Sequence, residues 1–193
     1  MRTVIHAKYP AVFLDRDGTI CVEKNYLSKI EDLELIPGSA EAIHLLNKSG
    51  YKVVIISNQS GIAKGYLDEH TVKKINEALI LELAKHKAQI DGIFYCPHHP
   101  KGFPPFNKKC LCRKPAPGMI LKASQQLKLD VSQSVVIGDK LSDIETAHRL
   151  KIPGILVLTG YGKSQLRNSS SIKPEYIANH LLDAVIWWLK KEK

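Results

Sequence analysis

The chain has 193 residues, 44% of them hydrophobic and 24% charged, with a formal net charge of +9. That length suits one domain over residues 1–193 with a sizeable buried core, and no apolar run reaches the roughly 18 residues of a membrane helix, so no membrane partner is expected. The positive balance favours an anionic ligand, but the lysines are scattered rather than gathered into a stripe, which argues for a solvated surface and against nucleic acid.

Residues 1–17, MRTVIHAKYPAVFLDRD, lack the long apolar region and small-residue cleavage site of a secretion signal, so a cytoplasmic protein is expected; a monomer is the expectation for its assembly. A buried strand is predicted at residues 11–15 (AVFLD), followed by an irregular segment over 18–37. Ile43 and Leu46 mark a helix closed by Gly50, and a second strand follows at 53–57 (VVIIS). Val72, Ile75, Leu79 and Leu83 mark a longer helix that Asp68 can cap. A third strand at 92–96 (GIFYC) leads into a second irregular segment, 97–116. Pro117 suits the first turn of a third helix, extending to about Leu129. Strands at 134–138 (SVVIG) and 154–158 (GILVL) flank a fourth helix from Leu141 to Leu150. The stretch LRNSSSIKPE (166–175) reads as a mobile polar loop, and Leu182, Val185, Ile186 and Leu189 mark a last helix. This alternation predicts an α/β protein built on a doubly wound, Rossmann-like parallel sheet, with no room for a large cap domain.

The chemistry gathers at the predicted strand ends. Asp15 and Asp17 lie two apart, and carboxylates that close repel one another unless a cation or a proton intervenes. Ser57-Asn58 closes the second strand, Gly138-Asp139 the fourth, and Arg113-Lys114 precedes the third helix. In a parallel sheet these ends meet on one edge. Carboxylates there suit Mg²⁺, which commonly bridges acids to a phosphate. Asp15 can then attack phosphorus as a nucleophile, Asp17 can exchange protons with the leaving oxygen and with water, and Ser57 and Lys114 can donate to the transferring oxygens. A turn, a helix cap and a surface lysine would each explain one piece. Their convergence points to phosphoryl transfer.

The segment CPHHPKGFPPFNKKCLCRKP contains Cys96-x-His98 and Cys110-x-Cys112. Three thiolates and an imidazole suit tetrahedral Zn²⁺, giving a structural zinc loop over about 96–112. His99 competes with His98 for the fourth position; the match to Cys110-x-Cys112 leans to His98, but spacing alone leaves the choice open. Cys21 lies far away and reads as an ordinary residue, and four cysteines in a chain of this size do not make a disulfide framework.

DRDGT, SNQSG, CRKP and GDKLSD, in this order across residues 11–160, resemble the haloacid dehalogenase superfamily of Mg²⁺-dependent phosphatases. The resemblance implies an aspartyl-phosphate intermediate on Asp15, with Mg²⁺ held by Asp15, Asp139 and the backbone carbonyl of Asp17. NQSGIAKG and the zinc loop are similar to the branch of heptose-bisphosphate and histidinol-phosphate phosphatases. This implies removal of the 7-phosphate of D-glycero-D-manno-heptose 1,7-bisphosphate, a phosphorylated sugar, in ADP- or GDP-heptose and lipopolysaccharide core biosynthesis. Substrate contacts then fall on Glu23, Lys24, Asn25, Tyr26, Asn58, Gln59, Ser60, Arg113 and Lys140. The alternatives are a histidinol-phosphate phosphatase of histidine biosynthesis, or a nucleic-acid-binding zinc module with an inactive hydrolase core. Cys21 and Asn25 depart from the branch's frequent asparagine and glycine, which leaves anomer preference open.

Overall fold

The computed structural model describes residues 8–167 and 171–191. Strands β1 (Tyr9–Leu14), β2 (Lys52–Asn58), β3 (Gly92–Cys96), β4 (Leu129–Gly138), β5 (Gly154–Val157) and β6 (Tyr176–Ala178) form one sheet. Their order is β3-β2-β1-β4-β5-β6, with every pair parallel. Successive side chains leave a strand on opposite faces, and here both faces are covered, which explains why the strands read as continuous Val/Ile runs. Val12, Leu14, Val53, Ile55, Val135 and Ile137 meet α1 (Ser39–Lys48), α3 (Glu69–Ala84) and α7 (Leu181–Lys191). Phe13, Val54, Ile56 and Val136 meet α4 (Gly118–Leu127) and α5 (Leu141–Arg149). Two short helices, α2 (Ser60–Ala63) and α6 (Gly162–Arg167), follow β2 and β5. Among the described residues no helix is long and apolar enough to cross a membrane.

The chain leaves β1 toward β2 on one side and returns to β4 on the other. The crevice at the carboxyl ends of β1 and β4 is therefore the topological switch point, where open α/β sheets bind ligands. Asp68 caps α3 as expected, its side chain accepting from Thr71 N at 2.7 Å.

Four expectations are corrected. The third helix stops at Leu127, because Lys128 turns left-handed (φ 54°) as its C-cap, and Leu129 already opens β4 beside Tyr9. Pro117 stands just before that helix as its N-cap instead of inside its first turn. In α7 the buried face is Leu181, Ala184, Val185 and Trp188, while Ile186 is 40% exposed. The polar loop is shorter than expected: α6 runs through Arg167 and β6 starts at Tyr176, while residues 168–170 lie outside the described residues.

Candidate active site

Asp15 follows β1 directly, and its backbone N–H donates to Ile137 O of β4 at 3.0 Å, which seats it in the crevice. Its Oδ1 accepts from Arg16 N at 2.8 Å and lies 3.0 Å from Lys114 Nζ. Lys114 is itself buried. Its ammonium has three protons and three partners: Asp15, Asp143 Oδ1 at 2.6 Å and Ile56 O at 2.7 Å. Asn58 clamps the lysine's backbone, donating from Nδ2 to Lys114 O at 3.1 Å and accepting from Lys114 N at 3.0 Å. A lysine expected to grip phosphate is thus first a brace for two carboxylates.

Asp15, Asp139 and Asp143 bring carboxylate oxygens within 4.8 Å of one another, and all three are buried. Gly18 (φ +86°) and Gly160 (φ +51°) let the loops after β1 and β5 close over Asp139: a Cβ would stand 2.2 Å and 2.3 Å from its Oδ2. Burial, then repulsion from Asp15, raises the Asp139 pKa to about 7, and burial also raises that of Asp143. Burial pushes Asp15 the same way, but Lys114 and Lys140 outweigh it and hold its carboxyl below the usual range. Lys140 Nζ lies 3.2 Å from Asp139 Oδ1, 3.4 Å from Glu23 Oε2 and 3.6 Å from Asp15 Oδ2. Two ammonium groups face four carboxylates, and Asp139 Oδ1 has no donor in hydrogen-bonding geometry. This donor set fits a hard divalent cation.

Asp143 was not singled out in the sequence, although it lies within GDKLSD. It sits in the first turn of α5 and accepts from Lys140 N at 3.1 Å, so its spacing from Asp139 resembles an ordinary capping pair. The Asp17 carboxylate, by contrast, turns away from the acid cluster. It accepts from Arg16 Nε at 3.0 Å, Arg16 Nη2 at 2.9 Å and Gln59 Nε2 at 2.9 Å. Gln59 Nε2 also lies 2.7 Å from Ser57 Oγ.

A cavity of about 320 Å³ opens over this cluster. Asp15, Asp17, Ser57, Lys114 and Lys140 line its floor, and Glu23, Asn25, Tyr26, Asn58, Gln59, Ser60 and Arg113 complete the predicted set. Lys24 is the exception: it pairs with Glu34 at 2.9 Å and does not line the cavity. Lys140 is engaged by the acids, whereas Lys64, passed over in the sequence, lies close enough to Arg113 for their charges to oppose. Ser142, Gly61 and Tyr161 join the lining unforeseen. Tyr161 N donates to Asp139 Oδ2 at 2.8 Å, and its hydroxyl donates to Asn25 Oδ1. Asn25 is left-handed (φ 51°), a conformation that asparagine shares with the glycine frequent there.

The loop between β3 and α4 gathers Cys96, His98, Cys110 and Cys112. The three sulfurs lie 3.1–3.5 Å apart, and His98 Nδ1 lies 3.4 Å from Cys112 and 3.7 Å from Cys96. Tetrahedral ligation at about 2.3 Å per sulfur spaces ligands by about 3.8 Å, so the cluster fits such an ion after a small expansion. His99 lies outside this cluster, its Nδ1 accepting from Lys101 N at 3.1 Å, so His98 is the histidine that the fold brings to the sulfurs. Cys21 is buried, and burial, then Asp17, pushes its thiol up to about 12.

The raised Asp139 makes a measurable difference. Without a cation the folded chain holds a proton there between 3.8 and about 7 that the unfolded chain has released, so stability falls as pH rises through that window. A cation replaces the proton and binds best where the acid is ionised. Magnesium chloride added to dialysed protein should raise the Tm more at about pH 8 than at about pH 5. At a hundredfold excess over its Kd the gain is about 2.7 kcal/mol, or about 5–10 °C for a chain of this length. Equal shifts at both pH values would exclude the carboxylates as the cation site.

A model of HAD-hydrolase-like proteins matches residues 111–184. D-glycero-β-D-manno-heptose-1,7-bisphosphate 7-phosphatase of Photorhabdus laumondii is 46% identical over 80% of this chain and 82% of its own. The enzyme of the same name from Haemophilus influenzae is 38% identical over 91% and 92%. The crystal structure of D,D-heptose 1,7-bisphosphate phosphatase from B. bronchiseptica, complexed with magnesium and phosphate, superposes with a TM-score of 0.85 at 29% identity, covering 94% of this chain and 99% of that one. The chain therefore belongs to the haloacid dehalogenase-like hydrolases, in the group that contains these heptose-bisphosphate phosphatases.

Proposed function

We propose that this phosphatase uses Mg²⁺ to remove the 7-phosphate of D-glycero-β-D-manno-heptose 1,7-bisphosphate. The observation that carries the reading is a single cavity lined both by buried Asp15 with Lys114 and Lys140 and by Arg113, near which Lys64 adds positive charge. Among the described residues no carboxylate pairs with Arg113, whose partner is the carbonyl of His98 at 3.2 Å. Its fork of donors is therefore open to a second, non-reacting phosphate. The names of the relatives supply the sugar and its β anomer. Histidinol phosphate fits less well, because its ammonium group would face Arg113 and Lys64.

In the proposed reaction the Asp15 carboxylate attacks phosphorus, the bond from phosphorus to the C7 oxygen breaks, and Asp17 gives that oxygen its proton. Asp17 then takes a proton from water, which cleaves the acyl phosphate and restores Asp15. Lys114 fixes the attacking carboxylate, and Ser57 donates to the transferring oxygens. Asp15 and Asp139, with Asp143 and the Asp17 carbonyl beside them, would hold Mg²⁺, which would offset the repulsion between carboxylate and phosphate. Cys96, His98, Cys110 and Cys112 would hold Zn²⁺, which would pin the loop that carries Arg113 and Lys114. The product keeps its anomeric phosphate, as synthesis of a nucleotide-activated heptose requires. A monomer in the cytoplasm is the setting proposed, since a reducing compartment preserves the free thiols.

Steady-state kcat/KM on both heptose bisphosphate anomers and on histidinol phosphate tests the assignment. The β bisphosphate should be preferred, and a preference for histidinol phosphate would overturn it. Asp15→Asn should lose at least about a thousandfold in turnover while remaining folded; near-normal phosphate release would remove Asp15 as nucleophile.

Arg113→Ala should lower kcat/KM for the bisphosphate by about 2–4 kcal/mol and leave a sugar monophosphate nearly unchanged. Equal losses on both would show that Arg113 only helps to fold the loop. Protein purified without chelator should contain about one zinc per chain by elemental analysis, while its turnover should depend on added magnesium. A zinc-free preparation would dismiss the thiolate site.

A further inference from the structure

Arg16 lies between the two aspartates of the β1 loop and is 1% exposed, the largest of the fully buried side chains. It does not line the cavity, so it is not placed to bind phosphate. Lys114 and Lys140 already face Asp15. The guanidinium points the other way. Nε donates to Asp17 Oδ1 at 3.0 Å and Nη2 to Oδ2 at 2.9 Å, a two-point grip that fixes the plane of the carboxylate. Nη1 donates at 2.8 Å to Asn76 Oδ1, a buried acceptor on the inward face of α3. The carboxylate is thereby tied to a helix some sixty residues further along the chain.

The donors around Asp17 can be counted against its capacity. An ionised carboxylate has about four lone-pair positions, two on each oxygen. Oδ2 accepts from Arg16 and from Gln59, whereas Oδ1 accepts from Arg16 alone. The one position left for a proton is on Oδ1. Burying a guanidinium is costly unless its donors are matched, and a surface turn would gain nothing from it. A proton-transferring carboxylate gains a fixed plane and one defined proton-bearing atom.

We propose that Arg16, anchored to α3 through Asn76, is a positioning residue that directs proton transfer at Asp17 through Oδ1. The proposal rests on the assignment of Asp17 as the acid/base of the reaction. Arg16 exchanges no proton and forms no bond with substrate; the proton moves from Asp17 Oδ1 to the leaving oxygen, and later returns from water.

The test compares leaving groups. An alkyl phosphate such as the heptose bisphosphate needs its leaving oxygen protonated, whereas p-nitrophenyl phosphate expels a stable phenolate and does not. Arg16→Met should lower kcat/KM on the bisphosphate, which reports leaving-group departure and not the later hydrolysis that both substrates share, by about a hundredfold or more, the scale of general acid–base catalysis, with kcat/KM on p-nitrophenyl phosphate affected less than about threefold. Asn76→Leu removes only the anchor and should show the same split, about tenfold. It carries the test if Arg16→Met does not fold, with circular dichroism and Tm as the check. Asn76→Asp keeps an oxygen for Nη1 and should restore turnover on the bisphosphate. Asp17→Asn must show the leaving-group split if Asp17 is the acid; equal losses there would refute the acid/base assignment itself. If Asp17→Asn splits the substrates but folded Asn76→Leu slows both alike, or slows neither, the positioning role of Arg16 is overturned.

Discussion

Asp15, Asp139 and Asp143 are buried with oxygens within 4.8 Å of one another where β1 and β4 part, and this repulsion organises the surrounding site. Two unit charges about 4 Å apart at an effective dielectric constant near 20 interact by about 4 kcal/mol, so three such acids cannot all ionise unaided. Lys114 answers with an ammonium 3.0 Å from Asp15 and 2.6 Å from Asp143 that donates to Ile56 O. Lys140 answers from the cavity side against Asp15, Asp139 and Glu23. The remaining excess of negative charge is an affinity for a divalent cation, and through it for a phosphate that would otherwise be repelled. Asp17 is kept out of this arrangement by Arg16 and Gln59, which hold its carboxylate aside. Two aspartates two residues apart can therefore serve different purposes, because neighbouring side chains turn them into separate electrostatic environments.

The strand pattern was legible because each central strand is buried on both faces, and a continuous Val/Ile run has few other readings. Once the strands are parallel, topology alone brings Asp15, Ser57 and Asp139 to one edge, and chain order sufficed to find them. Residues whose part depends on loop paths were not legible. Lys24 and Lys64 are both lysines near loops that border the cavity; one bends toward Glu34 and the other toward Tyr26, and nothing in the sequence separates them. Tyr161 orients Asp139 through a backbone N–H, which has no side-chain signature at all. Asp143 escaped because an acid in the first turn of a helix is common for reasons of capping alone. β6 has three residues, too few for a period to show. In α7 apolar residues occur on most sides, so spacing could not tell Leu181 from Leu182 as the start of the buried stripe.

The thiolate loop shows how the fold meets a demand that its regular elements leave open. Arg113 and Lys114 must stand over the carboxyl ends of β1 and β2, yet they lie on a long connection between β3 and α4 with no helix or strand of its own. Such a connection of about twenty residues is too floppy to hold a guanidinium at a defined point. A metal ion on Cys96, His98, Cys110 and Cys112, which this cluster could hold, would pin both ends of the loop beside Arg113. The Arg113 bond to His98 O then ties the side chain to the same cluster. Asn58 completes the fixing from the other direction, by clamping the Lys114 backbone to the end of β2. The two clusters need not compete for one another's ion, because soft sulfur and imidazole donors and hard carboxylate oxygens differ in which cation they prefer. A metal bound for shape would thus sit next to one bound for chemistry, each on donors suited to it.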